Sequence, residues 1–183
     1  VMGTRSGDID PALPLLLAMQ GMSADAIDVL LNRQSGLAGL SGVAGGDFRD
    51  IERAAAAGDR RARLAVEVFT RRVKKYVGAY AALLGGVDAV VFTGGIGENS
   101  AAVRAAGCEG MHYMGVALDP ARNADPRAFA EVGVADVAAP RAPVRVLVVA
   151  TDEERMIARE VVRSLRGPTA ALQSVRAQPI PVG

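Results

Sequence analysis

The segment AVVFTGGIGENS, residues 89–100, constrains the fold of this chain more than any other. An apolar, β-branched run ends abruptly in a glycine-rich turn, and a helix start follows with Asn99 or Ser100 placed to cap it. Glycine has no Cβ, so backbone N–H groups can come close to a ligand. The first turn of a helix leaves N–H groups unpaired and carries a partial positive charge, which suits phosphate. The pattern therefore indicates a strand, a turn that can hold a nucleotide phosphate, and a helix.

The same turn has a second interpretation, without a ligand. It lacks the last glycine of the dinucleotide-binding fingerprint, because Asn99 stands there, and no Gly-Lys-Ser/Thr of a Walker loop follows. Its glycines would then serve only a tight strand-to-helix connection that needs positive φ. On pattern alone the two interpretations carry about equal weight.

A second apolar run predicts a strand in the same layer as the strand before the glycine turn. Residues 144–149 are followed by the acids Asp152, Glu153 and Glu154 and by a predicted helix over 152–165. Strand–helix alternation predicts an α/β layer with parallel strands. Ligands of such sheets bind beyond the carboxyl ends of the strands. We therefore expect the glycine turn and the three acids to lie on the same rim of the sheet.

The remainder of the chain is predicted to be mostly helical. The longest helix opens after Asp59 and ends at Gly85, with one apolar stripe opposite a face rich in arginine and lysine. Shorter elements are helices over 10–21, from Ser23, over 50–57 and over 100–107, and a short strand over 116–118. Five glycines predict a loop over 36–46, and residues 121–143 predict a surface loop. The composition from residue 167 onward predicts a disordered tail.

Composition limits the partners and the kinds of site. The 183 residues are 50% hydrophobic and 22% charged, with a formal net charge of +1, which is typical of a soluble globular domain and gives no electrostatic case for nucleic acid or an anionic membrane. No apolar run is long enough to cross a bilayer. The single cysteine, Cys108, excludes an internal disulfide and a multi-cysteine metal site, so a reducing cytoplasm is the default. Cys108 and the single histidine, His112, are expected to be structural.

Because the chain opens at Val1 within a Gly/Arg/Asp-rich segment, we expect it to be the C-terminal part of a longer protein.

Arg5 is the first candidate ligand-binding residue outside the glycine turn. A guanidinium flanked by glycines can present its planar donor fork to phosphate or carboxylate. The alternative is an ion pair with Asp8 or Asp10, although Asp10 is better explained as a helix cap.

The triplet Asp47, Phe48 and Arg49 follows a glycine-rich stretch and is the second candidate. Phe48 and Arg49 could stack on a base while Asp47 bonds ribose hydroxyls. The alternative is a helix start with Phe48 as an aromatic staple and Asp50 as the cap, and the residues by themselves favour it.

The acids at 152–154 are the third candidate. They either complement the dipole of the helix that they open or hold Mg²⁺ beside nucleotide phosphates, usually through water.

Four segments together resemble the acetate kinase family. They are MGTRSGDIDP (residues 2–11), GDFRDIE (46–52), VFTGGIGENS (91–100) and VVATDEERMIARE (148–160). Residues 71–92 are also similar, and order and spacing agree up to about residue 166. The first and third motifs are far more specific than a lone glycine motif, whereas residues 167–183 carry no such signal.

The resemblance implies a fold and a reaction. The fold is α/β, actin-like and sugar-kinase-like (ribonuclease H-like), with two domains around a cleft; residues 1–166 would be the C-terminal nucleotide-binding and dimerisation domain. The reaction is reversible phosphoryl transfer between ATP and acetate, giving acetyl phosphate and ADP, with Mg²⁺ or Mn²⁺. The implied partners are ATP, acetate or another short-chain acid, and a second copy of the chain. Propionate or butyrate kinase is the nearest alternative, and a non-catalytic nucleotide-binding or dimerisation module is the alternative of another class.

The resemblance also implies site residues, position by position. Arg5 matches the arginine that contacts the transferring phosphoryl group and the carboxylate, and Glu153 matches the acid associated with Mg²⁺. The adenosine-binding loop is matched by Asp47, Phe48 and Arg49. The second wall of the nucleotide site and its phosphate-binding backbone are matched by Gly94, Gly95, Ile96, Gly97 and Asn99.

Two departures from the family pattern qualify these matches. Glycines at 45–46 replace the small polar residues expected there, which affects the detail of base contact. The family's N-terminal phosphate-binding strand and turn, its acetate pocket and its other catalytic aspartate, arginine and histidine have no match in this chain. We therefore expect the chain by itself to bind nucleotide weakly and not to turn over.

Overall fold

The computed structural model describes residues 1–131 and 133–165. These residues fall into two compact units, one over Val1–Val149 and a second that begins at Ala150. Each unit is described by itself. The predicted tail over 167–183 lies outside the described residues.

The first unit holds eight helices and four strands among its described residues. The helices are α1 (Ala12–Met19), α2 (Ala24–Arg33), α3 (Gly36–Ser41), α4 (Phe48–Ala56), α5 (Arg60–Leu84), α6 (Gly94–Asn99), α7 (Ala101–Cys108) and α8 (Pro120–Ala124). The strands are β1 (Ala89–Phe92), β2 (Ala130–Glu131), β3 (Val134–Asp136) and β4 (Arg145–Val149). Short 3-10 turns occupy Ala44–Gly46, His112–Met114 and Pro126–Phe129. The second unit contributes α9 (Glu153–Leu165).

The two predicted strands are neighbours in one sheet of order β1-β4-β3-β2. β1 and β4 are parallel, as predicted, and Val90 lies opposite Val146. Their carboxyl ends lie at one edge, where the Thr93 hydroxyl donates to the carbonyl of Val149 at 3.0 Å. The predicted layer with parallel strands is only partly parallel, because β3 runs antiparallel to β4 and β2 antiparallel to β3.

The antiparallel strands arise from a segment that was predicted to be surface loop. Residues 121–143 are short of bulky residues, yet Ala135 and Val137 are fully buried in the same core cluster as β1 and β4. The pairing partners are near in sequence, since β2 and β3 form a hairpin and β4 follows closely, but strands of two and three residues are too short to show an alternating pattern. The short strand predicted at 116–118 consists of two isolated bridges, Val116 to Val144 and Leu118 to Ala138.

The glycine-rich stretch at 36–46 was predicted to be a loop, and this is also wrong, because it contains α3. The first N–H groups of α3 receive partners from the N-terminal segment: Leu37 N–H donates to the carbonyl of Met2 at 2.8 Å and Ala38 N–H to that of Gly3 at 2.9 Å. Unpaired N–H groups at a helix start need such acceptors. Backbone bonds from a remote segment thus stabilise a helix that its own sequence disfavours, and in return they hold the segment that carries Arg5.

Gly36 is the position at which this arrangement depends on glycine. Its φ is +61°, and a Cβ built on it would fall against the carbonyl oxygens of Met2 and Arg5. Any side chain there would combine a disfavoured backbone conformation with a steric clash.

We expect Gly36→Ala to lower the free energy of unfolding by roughly 2–4 kcal/mol, because strain and clash add at one site. Urea denaturation followed by circular dichroism measures the loss. Gly78→Ala is the matched control: it lies inside α5 with nothing within 4 Å of a built Cβ, and should stabilise the chain by about 0.5–1 kcal/mol. Equal effects of the two substitutions would contradict the role assigned to Gly36.

Candidate nucleotide site

One wall of the candidate site is the start of α4, and Asp47 forms its cap. The Asp47 carboxylate accepts a hydrogen bond from the backbone N–H of Arg49 at 2.9 Å. The prediction of Asp50 as the cap is wrong; Asp50 lies in the first turn and pairs with Arg53 at 2.7 Å. The helix therefore begins two residues earlier than predicted, which brings Phe48 and Arg49 into its first turn.

Asp47 and Arg49 also bind each other through their side chains. The guanidinium donates from Nε at 3.1 Å and from a terminal nitrogen at 2.6 Å to the two carboxylate oxygens. These bonds lower the pKa of Asp47 from its ordinary value of 3.8 to about 2. Asp47 is therefore ionised at neutral pH, and the exposed pair presents both a carboxylate and a guanidinium fork beside the cavity described below.

Phe48 is a core residue as well as a site candidate. Its side chain is 6% exposed, and its ring lies 5.0 Å from that of Phe69, measured between centroids. Ile51 and Val103 belong to the same buried cluster. The ring of Phe48 therefore packs into the core at the start of the helix, as the alternative without a ligand expected.

The other wall is α6, which occupies the whole of the glycine turn. The sequence predicted a turn and then a helix from Ser100; the turn is itself a helix of six residues, entered through Gly94 at φ +72°. Ser100 does cap the following helix, accepting from Val103 N–H at 3.1 Å. The Asn99 amide instead donates to the carbonyl of Gly95 at 2.9 Å, and Gly94 N–H donates to the Glu98 carboxylate at 2.9 Å.

The two walls enclose a cavity of about 830 Å³. Six of the residues predicted for nucleotide binding line it: Asp47, Phe48, Arg49, Gly95, Ile96 and Asn99. Gly94 and Gly97 belong to the same helix but are not among the lining residues that the structure describes. Glu52 and Ser100, to which the sequence interpretation gave no ligand role, complete this part of the wall. The volume lies in the usual range for small-molecule sites.

Arg5 lies in the N-terminal segment, of which Val1, Met2 and Gly3 also line the cavity. Arg5 is not a lining residue; its side chain is exposed and makes no hydrogen bond or ion pair within the described part of the chain. Arg5 forms no ion pair with Asp8 or Asp10, so that alternative is wrong. Asp8 binds Tyr76 and Arg72, and Asp10 accepts from the N–H of Ala12 at the start of α1.

Arg104 is a site-supporting residue that the sequence interpretation missed. It is 1% exposed, and its guanidinium donates to the carbonyls of Gly97 and Glu98 at 2.8 and 3.0 Å. It also donates to the side-chain and backbone oxygens of Asn123, each at 2.7 Å. Burial lowers the pKa of Arg104, yet an arginine remains charged at neutral pH. The one signal available was a lone charged residue in the otherwise uncharged α7, AAVRAAGC.

Glu153 lies in the second unit, as the first residue of α9. With Glu154 it places two acids in the first turn, where Asp152 accepts from Arg155 N–H at 2.9 Å. This helix start fits the dipole interpretation. No cluster of three or more His, Cys, Asp or Glu side chains suited to a metal occurs in 1–131 and 133–165.

Two further expectations concern single residues and the membrane. Cys108 is 5% exposed in the core cluster, and burial raises the pKa of its thiol to about 11, which confirms it as a small core residue. No helix in the described ranges is long and apolar enough to cross a bilayer.

Comparisons with known proteins identify the family. The sequence profile of the Acetokinase family matches residues 1–159. The chain belongs to the acetokinase family. An acetate kinase of Heliobacterium modesticaldum is 49% identical over 168 residues, which are 91% of this chain and 41% of that protein. The chain thus spans about two-fifths of the length of such curated relatives.

Solved structures from the acetokinase family share the fold. The crystal structure of Porphyromonas gingivalis acetate kinase matches with a TM-score of 0.78 and 44% identity over 90% of this chain and 40% of that one. A propionate kinase from Francisella tularensis matches with a TM-score of 0.76 and 39% identity over 87% of this chain and 39% of that one. The predicted fold class, α/β and actin-like, is confirmed.

We expect Arg104→Met to lower the free energy of unfolding by about 3 kcal/mol, because it leaves buried carbonyls at the end of α6 without donors. Thermal or urea unfolding measures the change. Arg53→Met is the control, since its guanidinium is largely exposed and pairs only at the surface; its effect should stay within about 0.5 kcal/mol. A loss for Arg104→Met no larger than that of the control would contradict a supporting role.

Proposed function

We propose that this chain supplies the nucleotide-binding part of an enzyme that transfers a phosphoryl group reversibly between ATP and acetate, giving ADP and acetyl phosphate. The observation that carries the proposal is the cavity between α4 and α6, where two sequence motifs far apart in the chain meet. Membership of the acetokinase family and relatives named acetate kinase support the same reaction. The cytoplasm is the compartment that we propose for it.

The proposed roles follow from the chemistry of each group. Asp47 and Arg49 exchange part of their mutual pairing for contacts with adenosine, and Ile96 supplies an apolar surface for it. Backbone groups of residues 94–97 and the amide of Asn99 bind near the phosphates. Phosphoryl transfer needs positioning and charge neutralisation more than covalent participation by the protein. Arg5, with a free guanidinium fork, neutralises charge on the transferring group.

A metal ion fits this proposal as a companion of the nucleotide. Mg²⁺ is usually held by one or two carboxylates together with substrate phosphates and waters, so a site of three protein ligands is not required. We propose Glu153 as the carboxylate on this chain, with Mn²⁺ as an alternative metal. When bound, the ion neutralises phosphate charge.

We expect Arg5→Ala to lower kcat by about 10³-fold, because an arginine that neutralises the transferring group is worth about that much. The KM for ATP should change less than threefold, since adenosine binds elsewhere. Hydroxamate trapping of acetyl phosphate by the enzyme that contains this chain measures both parameters. Arg71→Ala is the control, because Arg71 pairs with Glu67 on an exposed face of α5. Unchanged kcat in Arg5→Ala would contradict the role of Arg5.

The acyl substrate is tested with the same assay. A solved relative at 39% identity is a propionate kinase, so propionate is the second candidate, with butyrate beyond it. Turnover ranked over acetate, propionate and butyrate decides among them. If the enzyme turned over none of the three while binding ATP, the chain would belong to a non-catalytic nucleotide-binding module. The isolated 183-residue chain is expected to form no acetyl phosphate.

We also propose that residues 1–166 form a dimerisation domain. The support is α1, whose eight residues ALPLLLAM are all apolar although none is buried. Leu15 is 66% exposed and Met19 86%. Helices that are apolar all round are normally covered by other protein.

We expect Leu16→Lys to shift the protein from dimer to monomer, because a charge on this face opposes its burial. Sedimentation velocity measures the change. Ala57→Lys, at an exposed position after α4, should leave the dimer intact. A dimer of unchanged stability in Leu16→Lys would exclude α1 from the interface.

A further inference from the structure

One side-chain hydrogen bond joins the two walls of the cavity. The Ser100 hydroxyl, at the junction of α6 and α7, donates to Oε1 of Glu52 on α4 at 2.6 Å. Both residues line the cavity. Glu52 belongs to the GDFRDIE motif, and the roles proposed above make no use of it.

The direction of this bond follows from its two groups, because a carboxylate oxygen accepts and the hydroxyl donates. A hydroxyl has one hydrogen to donate and lone pairs with which to accept. The Ser100 oxygen accepts from Val103 N–H at 3.1 Å, so its hydrogen is free to point at Glu52. Ser100 is 5% exposed, which confines it to this position. The Glu52 carboxylate on α4 therefore accepts a hydrogen bond from a hydroxyl whose position is held by its second bond at the start of α7.

Apolar contacts also join the two walls. Phe48 and Ile51 of α4 pack in one cluster with Val103 of α7, and Ile96 of α6 is only partly buried against it. Apolar contacts are non-directional, so by themselves they specify the relative position of two helices less sharply than a hydrogen bond does. A hydrogen bond to a carboxylate is short and directional, and it defines one spacing.

We propose that Glu52 is a positioning residue that, through Ser100, sets the separation of α4 and α6 at which a nucleotide fits both walls. The proposal rests on the nucleotide-binding function proposed above. Ligand binding is strongest when the walls are held in the bound geometry beforehand, because less ordering is required on binding. Removing the bond should therefore weaken nucleotide binding more than it weakens the fold.

The test is the affinity of the 183-residue chain for the fluorescent nucleotide MANT-ADP, measured at a temperature where circular dichroism shows every variant folded. Glu52→Ala should weaken binding about tenfold, the equivalent of one charge-assisted hydrogen bond. Glu52→Gln keeps a carbonyl acceptor in the same place and should recover most of the affinity. Ser100→Ala should resemble Glu52→Ala, and the double variant should be no weaker than either, because one bond is lost in each case.

A serine cap elsewhere is the matched control for loss of stability. Ser23 caps α2, accepting from Ala26 N–H at 3.2 Å, and is not among the residues that line the cavity. Ser23→Ala should lower stability as Ser100→Ala does but leave MANT-ADP affinity unchanged. If loss of stability alone weakened binding, Ser23→Ala and Ser100→Ala would weaken MANT-ADP binding alike.

The outcomes separate this inference from the proposed function. Normal MANT-ADP binding by the unsubstituted chain with unchanged affinity in Glu52→Ala overturns the positioning role and leaves the proposed nucleotide site standing. Additive losses in the double variant also overturn it, since they show two independent effects. Absence of MANT-ADP binding by the folded, unsubstituted chain overturns the proposed nucleotide site, and the positioning role with it.

Discussion

The site depends on the buried guanidinium of Arg104. A six-residue helix with three glycines is unstable by itself, because glycine is a poor helix former and a short helix rarely recovers its nucleation cost. Arg104 donates to the carbonyls of Gly97 and Glu98, where the helix ends, and to two oxygens of Asn123. One side chain thus satisfies the end of α6 and anchors it to α8.

The opposite wall and the N-terminal segment are held in other ways. Asp47 caps α4, while the ring of Phe48 anchors that helix against Phe69. The segment before Arg5 lies across the start of α3, where its carbonyls accept from helix N–H groups and Gly36 leaves room for it. The cavity therefore lies among three segments that meet only in the folded chain. Each brings its own backbone or side-chain partners, so no single element forms the site.

The sequence predicted the elements with strong local signals. The long helix after Asp59 begins with that residue as its cap, and the parallel pairing of β1 with β4 follows from the strand–helix alternation. Six candidate residues meet in one cavity, as the motifs implied. Two predictions were wrong, a loop at 36–46 and a surface loop at 121–143. The first segment is ordered by the remote N-terminal segment, and the second forms two very short strands that pair with each other and with the nearby β4. In neither segment did the small residues give a periodic pattern from which the element could be predicted.

By itself the sequence determined the family, the α/β class and six of the residues that line the cavity. Those depend on residue identity and short-range spacing: glycine where a Cβ would obstruct, aspartate where a helix starts, apolar runs where strands are buried. Only the tertiary structure decided that the glycine turn is a helix and that Arg104 donates hydrogen bonds to the carbonyls at its end. The same is true of the hydrogen bond between Ser100 and Glu52 across the cavity. These contacts join residues up to 48 positions apart, and their geometry comes from how the helices pack, which local sequence does not encode.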